Sequence, residues 1–154
     1  LKTPQEDLAL ATEVENATGI PCVTSSSSIV KALRALQAHT ISVASPYEPW
    51  LNDRVAQHLQ QAGFHIAAIE GLGTQSHGSI STQAVIALAR TVVRPESQAI
   101  FISCSNFRTL EIIEQLENET GLPVITSNQA AFWGTLRKMG LQHVVPHAGR
   151  IFNR

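Results

Sequence analysis

The sequence has almost no charge to spare. Eleven Lys and Arg stand against twelve Asp and Glu, the formal net charge is −1, and charged residues make up only 15% of the chain. Without a basic excess there is no field to grip a phosphate backbone, so no nucleic acid is expected as a partner. No apolar run approaches the roughly 20 residues that span a bilayer, so no membrane partner is expected either. Two cysteines in 154 residues are too few for a disulfide scaffold and point to a reducing, cytoplasmic setting. The opening stretch from Leu1 to Asn16 is polar and acidic, unlike a signal peptide. Aromatic residues are scarce at 5%, with Tyr47 the one tyrosine. What the chain does hold is apolar bulk, 44% of its residues. That content excludes a disordered tail or a fibrous repeat, and the length suits one domain or two small lobes.

Short apolar runs alternate with helical stretches. Candidate strands are Cys22–Thr24, Ile41–Ser45, Phe64–Ile69, Ala99–Ser103 and Val124–Thr126. Between them, Ile29, Leu33 and Leu36, then Val55, Leu59 and Ala62, then Val85, Leu88 and Val92, then Leu110, Ile113 and Leu116 recur at helical spacing. Strands apolar on both faces and linked by helices predict an α/β fold with a doubly wound parallel sheet. Thr3-Pro4 followed by Glu6 and Asp7 reads as the start of a helix.

An internal repeat runs through this pattern. Glu15-Asn16-Ala17-Thr18-Gly19-Ile20-Pro21-Cys22-Val23-Thr24-Ser25 returns as Glu117-Asn118-Glu119-Thr120-Gly121-Leu122-Pro123-Val124-Ile125-Thr126-Ser127. Each copy reads as a helix stopped by glycine and proline, a short buried strand, and a hydroxyl turn that caps the next helix. Three strands precede the second copy and none precedes the first, so the chain is expected to lack most of a first lobe. The expected division is 1–38 as the end of that lobe, 39–127 as a second lobe, and 128–154 as a helix and tail packing back.

In an open parallel sheet, ligands bind beyond the carboxyl ends of the strands. Those ends read Thr24-Ser25-Ser26, Ser45-Pro46-Tyr47, Gly71-Leu72-Gly73-Thr74, Ser103-Cys104-Ser105-Asn106 and Thr126-Ser127-Asn128. Each side chain alone can be a helix cap. Five such ends on one rim suit a small anion. Cys104 is the sharpest candidate, between a buried strand and a helix expected to begin near Asn106; a thiol at a helix N-terminus is stabilised as thiolate and can act as nucleophile, base or acid. The other reading is a core cysteine, and Cys22, aligned with Val124, is read that way. Tyr47 is a carboxylate-site phenol or a packed loop residue. Trp133 and Phe132 are read as core, and Trp50 as part of a loop over the pocket. Gly71-x-Gly73 lacks the third glycine of a dinucleotide fingerprint. His143 and His147 have a spacing seen in metal sites, but Pro146 intervenes and no cysteine pair accompanies them.

The segment Ile102-Ser103-Cys104-Ser105-Asn106-Phe107-Arg108-Thr109-Leu110-Glu111, followed by Gly121-Leu122-Pro123-Val124-Ile125-Thr126-Ser127-Asn128-Gln129-Ala130, resembles the maleate cis–trans isomerase and arylmalonate decarboxylase group of the aspartate/glutamate/hydantoin racemase superfamily. Thr18–Pro21, Ala32–Leu36, Ala44–Tyr47 and Gly71–Gly73 match as well, so the likeness runs from about Ala11 to Leu141. The resemblance implies two pseudo-symmetric lobes, each around a four-stranded parallel sheet, with a small dicarboxylate or amino-acid-like substrate between them. It implies a cysteine from each lobe and no cofactor or metal. Cys104 matches the second-lobe cysteine; Tyr47, Ser105 and Asn106 would hold a substrate carboxylate, with Thr24, Ser25 and Asn128 as further contacts. The first-lobe cysteine falls upstream of Leu1, so the chain alone is expected to be inactive.

The function expected is cofactor-independent isomerisation of a small dicarboxylate, of the maleate type. Arylmalonate-type decarboxylation and aspartate, glutamate or hydantoin racemisation are the alternatives within the resemblance. A non-catalytic anion-binding module is the alternative outside it, and a homodimer is an open expectation.

Overall fold

Four parallel strands make the sheet among the described residues, which are 2–154 of the computed structural model; Leu1, the first position of the expected 1–38 segment, lies outside them. The strands are β1 (Thr40–Ser45), β2 (His65–Gly71), β3 (Ala99–Ile102) and β4 (Val124–Thr126), in the order β2-β1-β3-β4. Six α-helices surround them among those residues: α1 (Pro4–Thr18), α2 (Ser25–Ala35), α3 (Pro49–Gln61), α4 (Thr82–Val92), α5 (Ile113–Thr120) and α6 (Ser127–Lys138).

The strands are apolar on both faces because both faces are covered. Ile41, Val43, Phe101 and Ile125 join one core with Leu33 of α2, Leu59 of α3 and Trp133 of α6. Ala44, Ile100, Ile102 and Val124 join a second core with Val85 and Ala89 of α4 and Ile113 and Leu116 of α5. The protein is therefore α/β with a doubly wound parallel sheet, as its periodicity predicts.

The internal repeat is reproduced bond by bond. Gly19 and Gly121 end their helices at φ 70° and 73°, the left-handed conformation that glycine takes without penalty. The Thr18 and Thr120 hydroxyls donate back to Val14 and Leu116 carbonyls. The Glu15 carboxylate accepts the Cys22 N–H at 2.7 Å, and that of Glu117 accepts the Val124 N–H at 2.9 Å. Thr24 and Thr126 each cap the following helix through a reciprocal capping box.

One expectation fails at this point. Cys22–Thr24 is extended but pairs with no strand among the described residues, whereas Val124–Thr126 is β4. A strand needs a neighbour: β3 donates the Ile100 N–H to the Pro123 carbonyl at 3.0 Å, and no described strand does the same for Pro21. Cys22 is accordingly half-buried and not core. The same absence of cover leaves Leu8 of α1 60% exposed and Ile20 66% exposed.

Candidate active site at the Cys104 turn

The strand order creates the site. β2 and β3 lie on opposite sides of β1, so the connections leaving β1 and β3 diverge and open a crevice at their carboxyl ends. Ser45-Pro46-Tyr47 enters it after β1, and Ser103-Cys104-Ser105 after β3.

Cys104 stands there at φ 154°, a conformation rarely adopted by residues with a Cβ; holding it costs about 1–3 kcal/mol, and such strain gathers at functional sites. Its Sγ accepts the Asn106 N–H at 3.3 Å. Its own N–H donates to Ser127 Oγ at 3.2 Å. The residue is 6% exposed and packs beside Phe107 in the second core. The sulfur is thus sheltered by hydrocarbon while one backbone amide is aimed at it.

The helix expected near Asn106 is absent. The Phe107 N–H reaches back to the Cys104 carbonyl at 3.4 Å in a turn, a short 3₁₀ turn covers Leu110–Ile112, and α5 begins only at Ile113. Ser105, Asn106 and Thr109 are residues whose side chains compete for backbone partners and delay helix formation. Leu110, read as part of an amphipathic helix, is 64% exposed. The helix terminus beside Cys104 belongs to α6, where Asn128 Nδ2 donates to the Ser105 carbonyl at 2.8 Å.

Tyr47 reaches the same place from β1. Burial pushes its phenol above the ordinary range, its hydrogen bond with Ser103 opposes this, and the neighbouring Cys104 side chain adds to the rise. The phenol therefore stays protonated as a donor at neutral pH. The Tyr47 N–H is held by Ser45 Oγ at 3.1 Å, and Ser45 in turn donates to Asn52 Oδ1 at 2.6 Å. The ring lies edge-on to His77 with centroids 5.6 Å apart. Gly71 permits the turn, since a Cβ there would lie 2.2 Å from the Tyr47 carbonyl oxygen.

Tyr47, Ser105, Asn106 and Asn128 are thus gathered around Cys104. Thr24 spends its hydroxyl on the Ser27 N–H and the Asp7 carboxylate; of the expected site residues, Ser105, Asn106 and Asn128 line the adjoining cleft, and Cys104, Tyr47, Thr24 and Ser25 do not. Asn52 was not singled out from sequence, and Ser103, Ser127 and Gly71 entered only as members of strand ends, with no role of their own. Ser127 carried a usable signal, being a hydroxyl one residue beyond a helix cap that Thr126 already supplies.

The cleft, about 810 Å³, opens beside Ser105 and Asn106. Its wall is mostly apolar, with Phe107, Leu110, Phe132, Val145 and Phe152. Phe132 is 53% exposed here and not core as expected, while Trp133 is buried. Trp50 is 62% exposed on α3 and takes no part in the cleft. His147 pairs with Glu114 at 2.7 Å, and no group of three His, Cys, Asp or Glu placed to hold a metal ion occurs among the described residues. None of the described helices is long and apolar enough to cross a membrane.

A family model described as arylmalonate decarboxylase matches residues 3–152. Arylmalonate decarboxylase of Bordetella bronchiseptica is 30% identical over 151 residues, 94% of this chain and 63% of that protein. Maleate isomerase of Nocardia farcinica is 33% identical over 134 residues, 84% of this chain and 53% of that protein. The chain therefore spans between about half and two thirds of the length of these curated relatives. Among solved structures, arylmalonate decarboxylase superposes with a TM-score of 0.89 at 29% identity, over 99% of this chain and 68% of that one. A cysteine-to-serine variant of the Nocardia farcinica maleate cis–trans isomerase, with a covalently bound succinylcysteine intermediate, superposes with a TM-score of 0.91 at 30% identity, over 97% and 65%.

Proposed function

This chain belongs to the arylmalonate decarboxylase family, and from that premise we propose that it carries the Cys104 half of a cofactor-independent isomerase acting on a small dicarboxylate by maleate-type cis–trans isomerisation. The observation that carries this reading is the Cys104 turn: a strained cysteine at the sheet's switch point, with an amide on its sulfur and a protonated phenol alongside.

In the proposed reaction, the Cys104 thiolate adds to one alkene carbon of maleate. The π pair moves to the neighbouring carbon, which takes a proton, and a succinyl thioether forms. The former double bond, now single, rotates. Removal of the proton and cleavage of the C–S bond then restore the thiolate and leave fumarate. Tyr47 donates its phenolic hydrogen to a substrate carboxylate, and Ser105, Asn106 and Asn128 line the place where that carboxylate sits. The Nocardia farcinica relative carries its succinyl adduct on a cysteine other than the one that variant replaces, which supports a covalent thiolate route in this family. In this reading residues 1–38 close a first lobe, 39–127 form the cysteine-bearing second lobe, and 128–154 pack back toward the first. The 63% and 53% spans of the relatives support a fuller first lobe in the working enzyme, without which the chain reacts at Cys104 but does not turn over.

A second reading, arylmalonate-type decarboxylation, is favoured by the apolar cleft beside Ser105, which suits an aryl group. There the C–carboxylate bond breaks, carbon dioxide leaves, and the Cys104 thiol protonates the resulting enediolate.

Peptide-resolved alkylation with iodoacetamide tests both. Faster reaction at Cys104 than at Cys22, slowed by maleate, is the expected result. Stronger protection by phenylmalonate selects decarboxylation. Equal rates at the two cysteines, unprotected by either diacid, overturn both readings.

A further inference from the structure

We propose that Ser127 is a positioning residue for the reacting thiol, and that it acts with Asn128 as a clamp by which α6 holds the Cys104 turn in its strained form. The inference rests on the reading of Cys104 as the nucleophile. The Ser127 hydroxyl accepts the Cys104 N–H at 3.2 Å, and the Asn128 side chain donates to the Ser105 carbonyl at 2.8 Å. Two consecutive residues of one helix thus grip the backbone on either side of the Cys104–Ser105 peptide.

Neither side chain is needed by its own helix. Thr126 is the N-cap and forms the capping box with Gln129, so the hydroxyl of Ser127 is surplus to capping and is spent on the turn that follows the neighbouring strand β3. Nor is α6 free to drift. Its Gly134 lies so close to α2 that a Cβ there would be 2.4 Å from Ser28 Oγ. Gln129 Nε2 ties it to the Ala148 carbonyl at 2.6 Å, and Lys138 bridges to Glu15 at 2.7 Å. The helix is a fixed base from which the turn is held.

The geometry explains how the clamp reaches the sulfur. The Asn106 N–H meets Sγ only while the turn keeps its shape, with Cys104 at φ 154°. Without Ser127 Oγ the Cys104 N–H is left buried and unpaired, and the backbone relaxes toward an ordinary φ to find another partner. Sγ then swings away from the amide that stabilises its negative charge.

The test is the iodoacetamide rate at Cys104, followed by peptide-resolved mass spectrometry at one fixed pH in the full chain, with Cys22 as internal control. Ser127→Ala is expected to slow Cys104 about three- to tenfold, the worth of one hydrogen bond, with Cys22 unchanged. Ser127→Thr, which keeps the hydroxyl, stays within about twofold of the wild type on the same scale. A general loosening of the fold predicts the opposite, because it uncovers a buried thiol and speeds its reaction. An unchanged or faster Ser127→Ala overturns the clamp while leaving Cys104 as nucleophile. A wild-type Cys104 no faster than Cys22 overturns the nucleophile, and the clamp with it. Should Ser127→Ala fail to fold, Asn128→Ala at the exposed end of the clamp decides, and no slowing there overturns the proposal.

Discussion

Gly71 closes β2 directly beneath the Tyr47 carbonyl, and Gly71→Ala tests whether that contact sets the site. The added Cβ would lie 2.2 Å from the Tyr47 oxygen and 2.4 Å from Asn52 Nδ2, whereas real Cβ contacts keep beyond 3.0 Å, so the carbonyl must retreat by about 0.8 Å. Gly71 is not among the residues of positive φ, so the penalty is steric and not conformational. The neighbour is backbone and cannot rotate aside, since the Tyr47 carbonyl also accepts the Gly73 N–H at 3.3 Å. Overpacking of this kind costs about 1–3 kcal/mol. Displacing Asn52 also strains its 2.6 Å bond from Ser45, worth about 0.5–1.5 kcal/mol. The expected destabilisation is about 2–4 kcal/mol, read from urea unfolding followed by circular dichroism. Because Tyr47 moves with its carbonyl, maleate protection of Cys104 should weaken in the same variant, as reacting groups displaced by about 1 Å lose much of their effect. Gly78→Ala, whose Cβ would meet nothing within 4 Å, is the matched neutral control. A Gly71→Ala protein with wild-type unfolding and wild-type protection would refute the reasoning.

Tyr47→Phe removes the phenol but keeps the ring, and should weaken protection of Cys104 by maleate roughly 10- to 100-fold, the worth of a hydrogen bond to a charged group; equal protection removes Tyr47 from the site. The repeat supplies an internal comparison. Glu117 is buried and receives the N–H groups of Val124 and Arg150, so Glu117→Ala should cost about 2–3 kcal/mol in urea unfolding, while Glu15→Ala, at a half-buried and more exposed side chain, costs less. Glu15 is held below the usual 4.5 chiefly by its hydrogen bond with Lys138. That contribution is complete above the unfolded value and is lost as pH falls through the lower folded value. Amide exchange should therefore show α1 loosening below about pH 4.5 before α6 does, and Glu15→Ala should abolish the difference.

Much of the frame was legible in the residues. The runs at Ile41–Ser45 and Val124–Thr126, apolar without alternation, required a sheet covered on both faces. The repeated Gly-x-Pro foretold two equivalent passages of helix, short strand and capped helix; the helix ends and caps match in both copies, while the strand forms only in the second. Cys104, Tyr47, Ser105, Asn106 and Asn128 were picked from strand ends because strand ends in a parallel sheet share one rim. The same reasoning also admitted Thr24, whose hydroxyl caps α2, since a capping hydroxyl and a site hydroxyl look alike in sequence.

Local chemistry determined most of the elements: outside Cys22–Thr24 and the stretch after Cys104, periodicity marked helix and strand, and glycine, proline and threonine marked where they stop. Only the tertiary structure decided that Cys22–Thr24 stays unpaired among the described residues while Val124–Thr126 is a strand, because pairing depends on a neighbour and not on the segment. Only it showed that the helix end facing Cys104 is that of α6 and not of the stretch that follows the cysteine. Contacts across 23 residues, such as Ser127 to Cys104 and Asn128 to Ser105, arise from the order in which strands enter the sheet. No local pattern encodes that order.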